Sequence, residues 1–357
     1  MSRVAHILGG WSPNIGNAFF QLAGYEVLRE VMPRAEFVLI NEKPGYPQYW
    51  NPRGGNPTGY FDMASAVSAD YIVLMGPMFR SGIMDIWGES LDRILAKGTK
   101  LVLLGVAAMK YTPELVQEYR RMLERFRPHI LVSRDSEFYK IGAEYADFAF
   151  DGIDFAFFLP DYFPVRGMAD APPYIALSFD KRPEPTISVN SGEVQDPRRG
   201  SDIRFEFEGS SWRLQDDWRA RWVARSRAAM MLESLVFPGS QVRRLGHFDV
   251  VRTDHRYAPI LKRRTFRYPN VMVNDTPFPY LDIYGNARLT ISDRIHAGVI
   301  ALAYGRPAMV LSQSPRFRLL ERVGVSGIGE QPMMVDQLAL SRDKERIRAF
   351  LRNKLNV

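Results

Sequence analysis

The sequence predicts an α/β protein built from two open parallel-sheet units that face each other across a cleft. Three observations lead there. At 357 residues the chain is long for a single hydrophobic core. Its first half alternates short apolar runs with amphipathic stretches. After an interval rich in aromatics, Pro and Asp at 150–173, the same alternation begins again.

In the first half, "VAHIL" (4–8), "EFVLI" (36–40), "YIVLM" (71–75), "KLVLLGV" (100–106) and "HILVS" (129–133) read as strands. Each is an almost unbroken apolar run, as expected of a parallel sheet covered on both faces. Helices are expected from about Asn17 to Val31, within 81–98, and within 112–128, where Thr112 is a cap and Pro113 the first helical residue. Alternation of this kind implies right-handed βαβ units. The interval 150–173 reads as a crossover between domains. In the second half strands are expected at 174–180, 241–251, 270–275, 287–292 and 307–311, with a helix across 211–236. The polar, turn-rich stretch 181–209 is too long for a routine connection and reads as a functional flap or an insertion. Domains of 1–165 and 170–340 follow, then a basic C-terminal helix at 341–357.

Bulk composition narrows the partners. The chain has no cysteine, which excludes disulfides, thiolate metal sites and cysteine nucleophiles, and is compatible with the expected cytoplasmic location. No apolar run reaches the length of a membrane span, and "MSRVAHILGGW" reads as a first strand and not as a signal peptide. Net charge is +7, carried mostly by arginine, whose forked donors suit phosphate and carboxylate. The basic residues are scattered and no zinc finger, basic zipper or RNP-type motif is present, so an anionic small molecule or a lipid–water surface is favoured over nucleic acid. Phe350 and Leu351 in the C-terminal helix offer a peripheral contact with the inner membrane surface, set against an ordinary solvated helix.

In open parallel sheets ligands bind beyond the carboxyl ends of strands. After the first strand comes "GGWSPNIGNAFF", where Ser12 or Asn14 could cap a helix and Gly16 admits a ligand to the backbone. The spacing is not G-x-G-x-x-G, so no dinucleotide cofactor is indicated. After "LTIS" comes the most informative cluster: Ser292, Asp293, Arg294 and His296. Ser292 or Asp293 could cap the helix, Arg294 could clamp an anion at its positive end, and His296 could move a proton near neutral pH. The bland alternative makes Asp293 a cap, Arg294 an ion-pair partner and His296 a core imidazole. His255, flanked by Arg252, Asp254 and Arg256, is the second acid–base candidate; His247 is expected within a strand, and His6 and His129 are expected to be structural. Ser312, Arg316 and Arg318 follow the next strand and could reach the same ligand. The histidines show no metal-site spacing, and no metal is expected.

The stretch "ISDRIHAGVIALAYGRPAMVLSQSPRFRLLERVG" resembles the C-terminal signature of the polysaccharide pyruvyl transferase family. "NIGNAFFQLAG" is similar to that family's N-terminal Asn-x-Gly segment. "LVSRDSEFYKIGAEYADFAFDGIDFAFFLP", which contains Arg134, is similar to its central Arg-Asp segment and acidic-aromatic stretch. "TDHR" stands in the place of a family histidine. The resemblance spans about residues 10–325. It departs at Asn17, often Asp in the family, and at "GPMF" (76–79) and "GVAAM" (105–109), where the family has glycine-rich turns.

The resemblance implies a GT-B-like pair of Rossmann-like domains, with the acceptor on the N-terminal side and the donor on the C-terminal side. It implies transfer of the pyruvyl group of phosphoenolpyruvate onto two hydroxyls of a sugar in a surface polysaccharide or its lipid- or nucleotide-linked precursor. A cyclic ketal forms and phosphate is released, with phosphoenolpyruvate as co-substrate and no cofactor. His296, Arg294, His255 and Asp293 are the catalytic candidates; Asn14, Gly16, Asn17, Arg134, Ser292, Ser312 and Arg316 are the substrate-binding candidates. Two other readings compete: a glycosyltransferase of the same architecture using a nucleotide-sugar donor, and a non-catalytic glycan-binding protein.

Overall fold

A computed structural model describes residues 1–11, 14–41, 61–168, 171–179, 182–190, 202–216, 218–223, 226–237, 239–255, 268–312 and 314–355. The N-terminal half runs β1 (Arg3–Leu8), α1 (Gly16–Val31), β2 (Glu36–Asn41), α2 (Met63–Ala66), β3 (Tyr71–Met75), α3 (Ile83–Leu95), β4 (Lys100–Val106), α4 (Pro113–Phe126), β5 (Ile130–Ser133), α5 (Ser136–Gly142), β6 (Phe148–Asp151) and α6 (Leu159–Tyr162). Its sheet has the order β2-β1-β3-β4-β5-β6, and every pairing is parallel. The strand order reverses between β1 and β3, which directs a ligand to the loops after those strands.

The C-terminal half continues β7 (Tyr174–Ser178), β8 (Thr186–Val189), β9 (Asp202–Phe207), β10 (Ser210–Gln215), α7 (Trp218–Val223), α8 (Arg227–Val236), β11 (Arg244–Leu245), β12 (Phe248–Thr253), β13 (Val271–Met272), α9 (Phe278–Asn286), β14 (Leu289–Ser292), α10 (Ile295–Ala303), β15 (Ala308–Val310), α11 (Arg318–Glu321) and α12 (Gln337–Lys354). Its main sheet has the order β11-β12-β7-β14-β15, with β13 beside β12 and only β11 antiparallel. The reversal here lies between β7 and β14. The architecture is therefore two Rossmann-like α/β halves.

Several expectations give way to the structure. The helix expected across 211–236 begins as a strand. Glu208 and Gly209, at φ of 45° and 71°, make a tight turn that pairs β9 with β10. Left-handed turn residues match the twist of a hairpin, and this local geometry overrides helical spacing. β8, β9 and β10 form a separate antiparallel sheet, so the described part of 181–209 is structured, while 191–201 lies outside the described residues. Phe205, Trp212 and Leu214 of that sheet pack against Leu177, Val250 and Ile291 of the main one. The single strand expected at 241–251 is broken at Gly246 (φ 62°), which places His247 in an exposed turn and not within a strand.

The crossover also contains more than a connection. β6 adds an edge strand, and Phe155–Phe158 form a fully buried 3₁₀ turn that packs between α1 and α10. One apolar core runs through this turn from Phe19 and Phe20 to Ala297, Ile300 and Leu302, joining the halves. α12 returns to the N-terminal half. Its Ile347 and Leu351 are buried, Phe350 stacks near Phe150, Lys344 and Arg348 bind Asp161, and Arg348 and Arg352 bind Glu30. Leu351 is thus committed to packing and Phe350 is partly buried. No helix among the described residues is long and apolar enough to cross a membrane.

Candidate active site

The loops at the two reversal points meet. After β1, Gly9 and Gly10 turn the chain toward α1, whose first residue is Gly16. α1 has no side-chain cap: its N-cap is Ile15, whose N–H donates to the His255 carbonyl at 2.8 Å, across the two halves. Asn14 instead turns its amide to Asn17 Oδ1 (3.1 Å), and Asn17 donates to the Gly10 carbonyl (3.1 Å). Ser12 lies outside the described residues.

On the other side, Ser292 closes β14. Its hydroxyl donates to the Ser178 carbonyl (2.8 Å) and accepts from the Arg294 N–H (2.8 Å). The N-cap of α10 is Arg294, with no side-chain cap, so neither Ser292 nor Asp293 has the capping role expected of it. Asp293 accepts from the Arg182 backbone N–H at 2.9 Å. Arg294 reaches across the halves and donates to Asn14 Oδ1. The starts of α1 and α10 are thus stitched together, each with first-turn N–H groups and the positive end of its dipole.

His296 stands in the first turn of α10 and is buried, as are Arg294 and Ser292. A Cβ on Gly16 would lie 3.1 Å from His296 Nδ1 and 3.2 Å from Asn14 Oδ1, so glycine lets the two helix starts approach this closely without displacing either group. The Phe20 ring lies 5.4 Å from the imidazole. Phe20 is seated against Gly76, whose φ of 79° and missing Cβ leave the ring its room. The "GPMF" departure therefore shapes the wall behind His296.

The carboxylate facing His296 is Asp154, which sequence reasoning did not single out. Its Oδ2 lies 3.6 Å from His296 Nε2 and accepts from Arg134 Nη1 at 2.6 Å, while Oδ1 accepts from the Ala156 N–H at 2.9 Å. The one available signal was its place in the acidic-aromatic stretch. Burial alone would push the Asp154 carboxyl up, but Arg134, His296 and the Ala156 N–H together hold it well below the usual carboxylate range. Burial also pushes the His296 imidazole below its ordinary value; Asp154 opposes this, whereas the positive charges of Arg134 and Arg316 add to it.

Arg134 comes from the end of β5, and its guanidinium lies 5.6 Å from the Phe20 ring centroid. Its Nη2 is buried with no hydrogen-bond partner. Ser312 accepts from the Ser314 N–H, and Arg316 follows on a 3₁₀ turn. Arg318 turns elsewhere, pairing with Glu137 and lying over Tyr111. His255 is buried among Phe19, Tyr280 and Tyr284, with Nε2 2.5 Å from the Tyr284 hydroxyl, which is itself 2.6 Å from Thr253 Oγ1. His129 pairs with Asp147 at 2.9 Å, and His6 sits inside β1. A cavity of about 250 Å³ exists elsewhere in the C-terminal half, lined by Leu177, Glu184, Arg219, Ser240, Arg252 and Tyr268 and by none of the residues around His296. Among the described residues no group of three or more His, Asp or Glu could hold a metal ion.

The sequence profile of the polysaccharide pyruvyl transferase family matches residues 14–315, from Asn14 through the Arg-Asp segment to the turn after β15. The chain belongs to the polysaccharide pyruvyl transferase family. As a member it is a transferase, and Asn14, Gly16, Arg134, Asp154, Arg294 and His296 all fall within the matched span. No curated protein matches the chain. Among solved structures, it is similar to a putative UDP-N-acetylglucosamine 2-epimerase from Listeria monocytogenes (12% identity, 97% of this chain and 96% of that one, TM-score 0.48). Others are UDP-N-acetylglucosamine 2-epimerase from Rickettsia bellii (12%, 100% and 98%, 0.48) and UDP-GlcNAc 2-epimerase from Methanocaldococcus jannaschii (11%, 97% and 99%, 0.46). Likeness at this level carries neither ligand nor reaction across to the pyruvyl transferase.

Proposed function

We propose that this pyruvyl transferase takes phosphoenolpyruvate as donor and forms a cyclic pyruvate ketal on two hydroxyls of a sugar, releasing phosphate. The observation that supports the reading is the pair of arginines, Arg134 and Arg294, brought from opposite halves to either side of a buried histidine at two helix N-termini. Phosphoenolpyruvate has a carboxylate and a phosphate, and two separated cationic donor sets suit two anionic groups. Arg134 Nη2, buried and unsatisfied, supplies an open donor to one; Arg294, Arg316 and the first turn of α10 suit the other. The C-terminal half thus holds most of the donor, and the N-terminal loops after β1 and β3 are left for the acceptor.

A single imidazole serves both proton directions. Protonated His296 gives a proton to the methylene carbon of the donor, leaving a cationic C2. The first sugar hydroxyl adds to C2 and passes its proton to the now neutral imidazole. That proton leaves with phosphate as the C2–O bond to phosphorus oxygen breaks, and the second hydroxyl closes the ring, returning a proton to His296. Of the two hydroxyl protons, one ends on the new methyl group and one on phosphate. No cofactor takes part. His255, held by Tyr284 and by the Ile15 N–H, ties the halves together.

A thermal-shift titration tests the donor. Phosphoenolpyruvate at about 100 times its Kd should raise apparent stability by about 2.7 kcal/mol, and the rise should vanish in Arg294→Ala. Protection by a uridine diphosphate sugar with none by phosphoenolpyruvate would instead favour a glycosyltransferase.

A further inference from the structure

The proton chemistry above leaves open which nitrogen of His296 reacts, and the packing around the ring answers it. Nε2 is buried, has no hydrogen-bond partner within bonding length, and has Asp154 Oδ2 beside it at 3.6 Å. Asp154 has no freedom to turn away. One oxygen is fixed by the Ala156 N–H at the start of the 3₁₀ turn, and the other by Arg134. The carboxylate is fully buried, and Arg134 keeps it ionised, so it is an acceptor only. A nitrogen placed against a fixed acceptor takes the proton. The opposite nitrogen, Nδ1, faces the start of α1 at Gly16, where no side chain intervenes, and Asn14 and Arg294 meet beside it. The acceptor on that side, Asn14 Oδ1, already receives the Arg294 guanidinium, and the Phe20 ring and the positive charges of Arg134 and Arg316 offer no acceptor.

We propose that Asp154 is the positioning residue of this site: it holds the proton of neutral His296 on Nε2, so that Nδ1, facing the start of α1, is the nitrogen that exchanges protons with substrate. The assignment of Nδ1 to substrate rests on the functional reading above; the tautomer itself does not. The arrangement resembles other sites in which a buried carboxylate fixes the tautomer of an acid–base histidine and is not itself protonated. It also explains why Asp154 sits outside the Ser292–His296 cluster: the group that orients the ring comes from the crossover between the halves.

The experiment is a long-range ¹⁵N–¹H spectrum of the free, ¹⁵N-histidine-labelled protein near neutral pH, with His296 assigned from the signal lost in His296→Gln. The expected result is a neutral ring protonated on Nε2, and in Asp154→Asn a loss of that preference with turnover down roughly 10²-fold. A wild-type ring protonated on Nδ1 would overturn the proposal, even if Asp154→Asn failed to fold. So would an unchanged tautomer in Asp154→Asn. Because the spectrum needs neither donor nor acceptor, failure of pyruvyl transfer would count against the functional reading alone.

Discussion

Arg134 and Asp154 form an ion pair in which neither side chain meets solvent, with Nη1 2.6 Å from Oδ2 and side-chain exposures of 1% and 0%. Removing one partner from such a pair leaves a buried charge uncompensated, at a cost of about 3–5 kcal/mol. Arg134→Met should therefore lower unfolding stability by that amount, and adding Asp154→Asn should recover most of it. Denaturant unfolding of the two variants reads both numbers. A single variant as stable as the parent would mean the pair is not closed to water as described.

His296 and Arg294 should separate kinetically. Loss of the acid–base group in His296→Gln lowers kcat by roughly 10²–10⁴. Arg294→Ala removes a donor clamp and should raise KM for phosphoenolpyruvate more than it lowers kcat. Equal effects on both constants in the two variants would count against the division of labour.

Gly16 provides a test that separates activity from stability. Gly16 opens α1, where the interior preference for alanine has little weight, so the main effect of Gly16→Ala is the crowding by its Cβ. That Cβ would stand 3.1 Å from His296 Nδ1 and 3.2 Å from Asn14 Oδ1, displacing both. Turnover should fall by more than any accompanying loss of unfolding stability explains. Unchanged turnover would place the reacting groups elsewhere.

The pH dependence has a defined sign. In the free site burial, with help from Arg134 and Arg316, sets His296 below 6.5, so the proton-donating form is lost as pH rises through that lowered value. A bound dianionic or trianionic donor offsets the arginine charge and raises the imidazole again. The alkaline limb of kcat/KM, which reports the free enzyme, should thus lie at lower pH than the alkaline limb of kcat. Rate profiles over the acidic to neutral range measure both limbs, and coincident limbs would contradict the donor's anionic contact with this histidine.

His6 makes a prediction about stability alone. It is fully buried in β1, and burial pushes its imidazole down to about 3 from 6.5. Above 6.5 neither state binds the proton. Between 6.5 and about 3 only the unfolded chain binds it, so stability falls as pH falls. The loss from this residue should reach about 2–3 kcal/mol by about pH 4.5. His6→Leu should flatten that acid limb in denaturant melts; an identical limb would show that His6 gains a partner or a proton in the fold.

What the sequence made legible follows from what is local. β3 and β4 coincide with the apolar runs that announced them, because a strand buried on both faces needs little beyond continuous apolar character. The cluster from Ser292 to His296 was visible because a strand end and a helix start are adjacent in the chain. Asn14 was visible as a residue of the loop after the first strand, and Arg134 only through the family resemblance; their contacts with Arg294 and Asp154, which span 280 and 20 residues, were not. Asp154 was hidden in a run of aromatics, where an acidic residue reads as a turn former. β10 was hidden because Trp212 and Leu214 fit an apolar helical face as well as one face of a strand, and the deciding turn at Glu208–Gly209 lies just outside the segment.

In the function proposed for it, this site moves a pyruvyl group with His296 as the proton carrier. The most direct measurement is phosphate release from phosphoenolpyruvate by the full chain, in the presence of lipid- or nucleotide-linked glycan acceptors, with the acceptor then analysed by mass spectrometry. Phosphate should be released in step with acceptor that has gained one pyruvate ketal, and both should be lost in His296→Gln. Ketal formation that persists undiminished in His296→Gln would contradict that function, as would a panel of sugar acceptors in which phosphoenolpyruvate is never consumed.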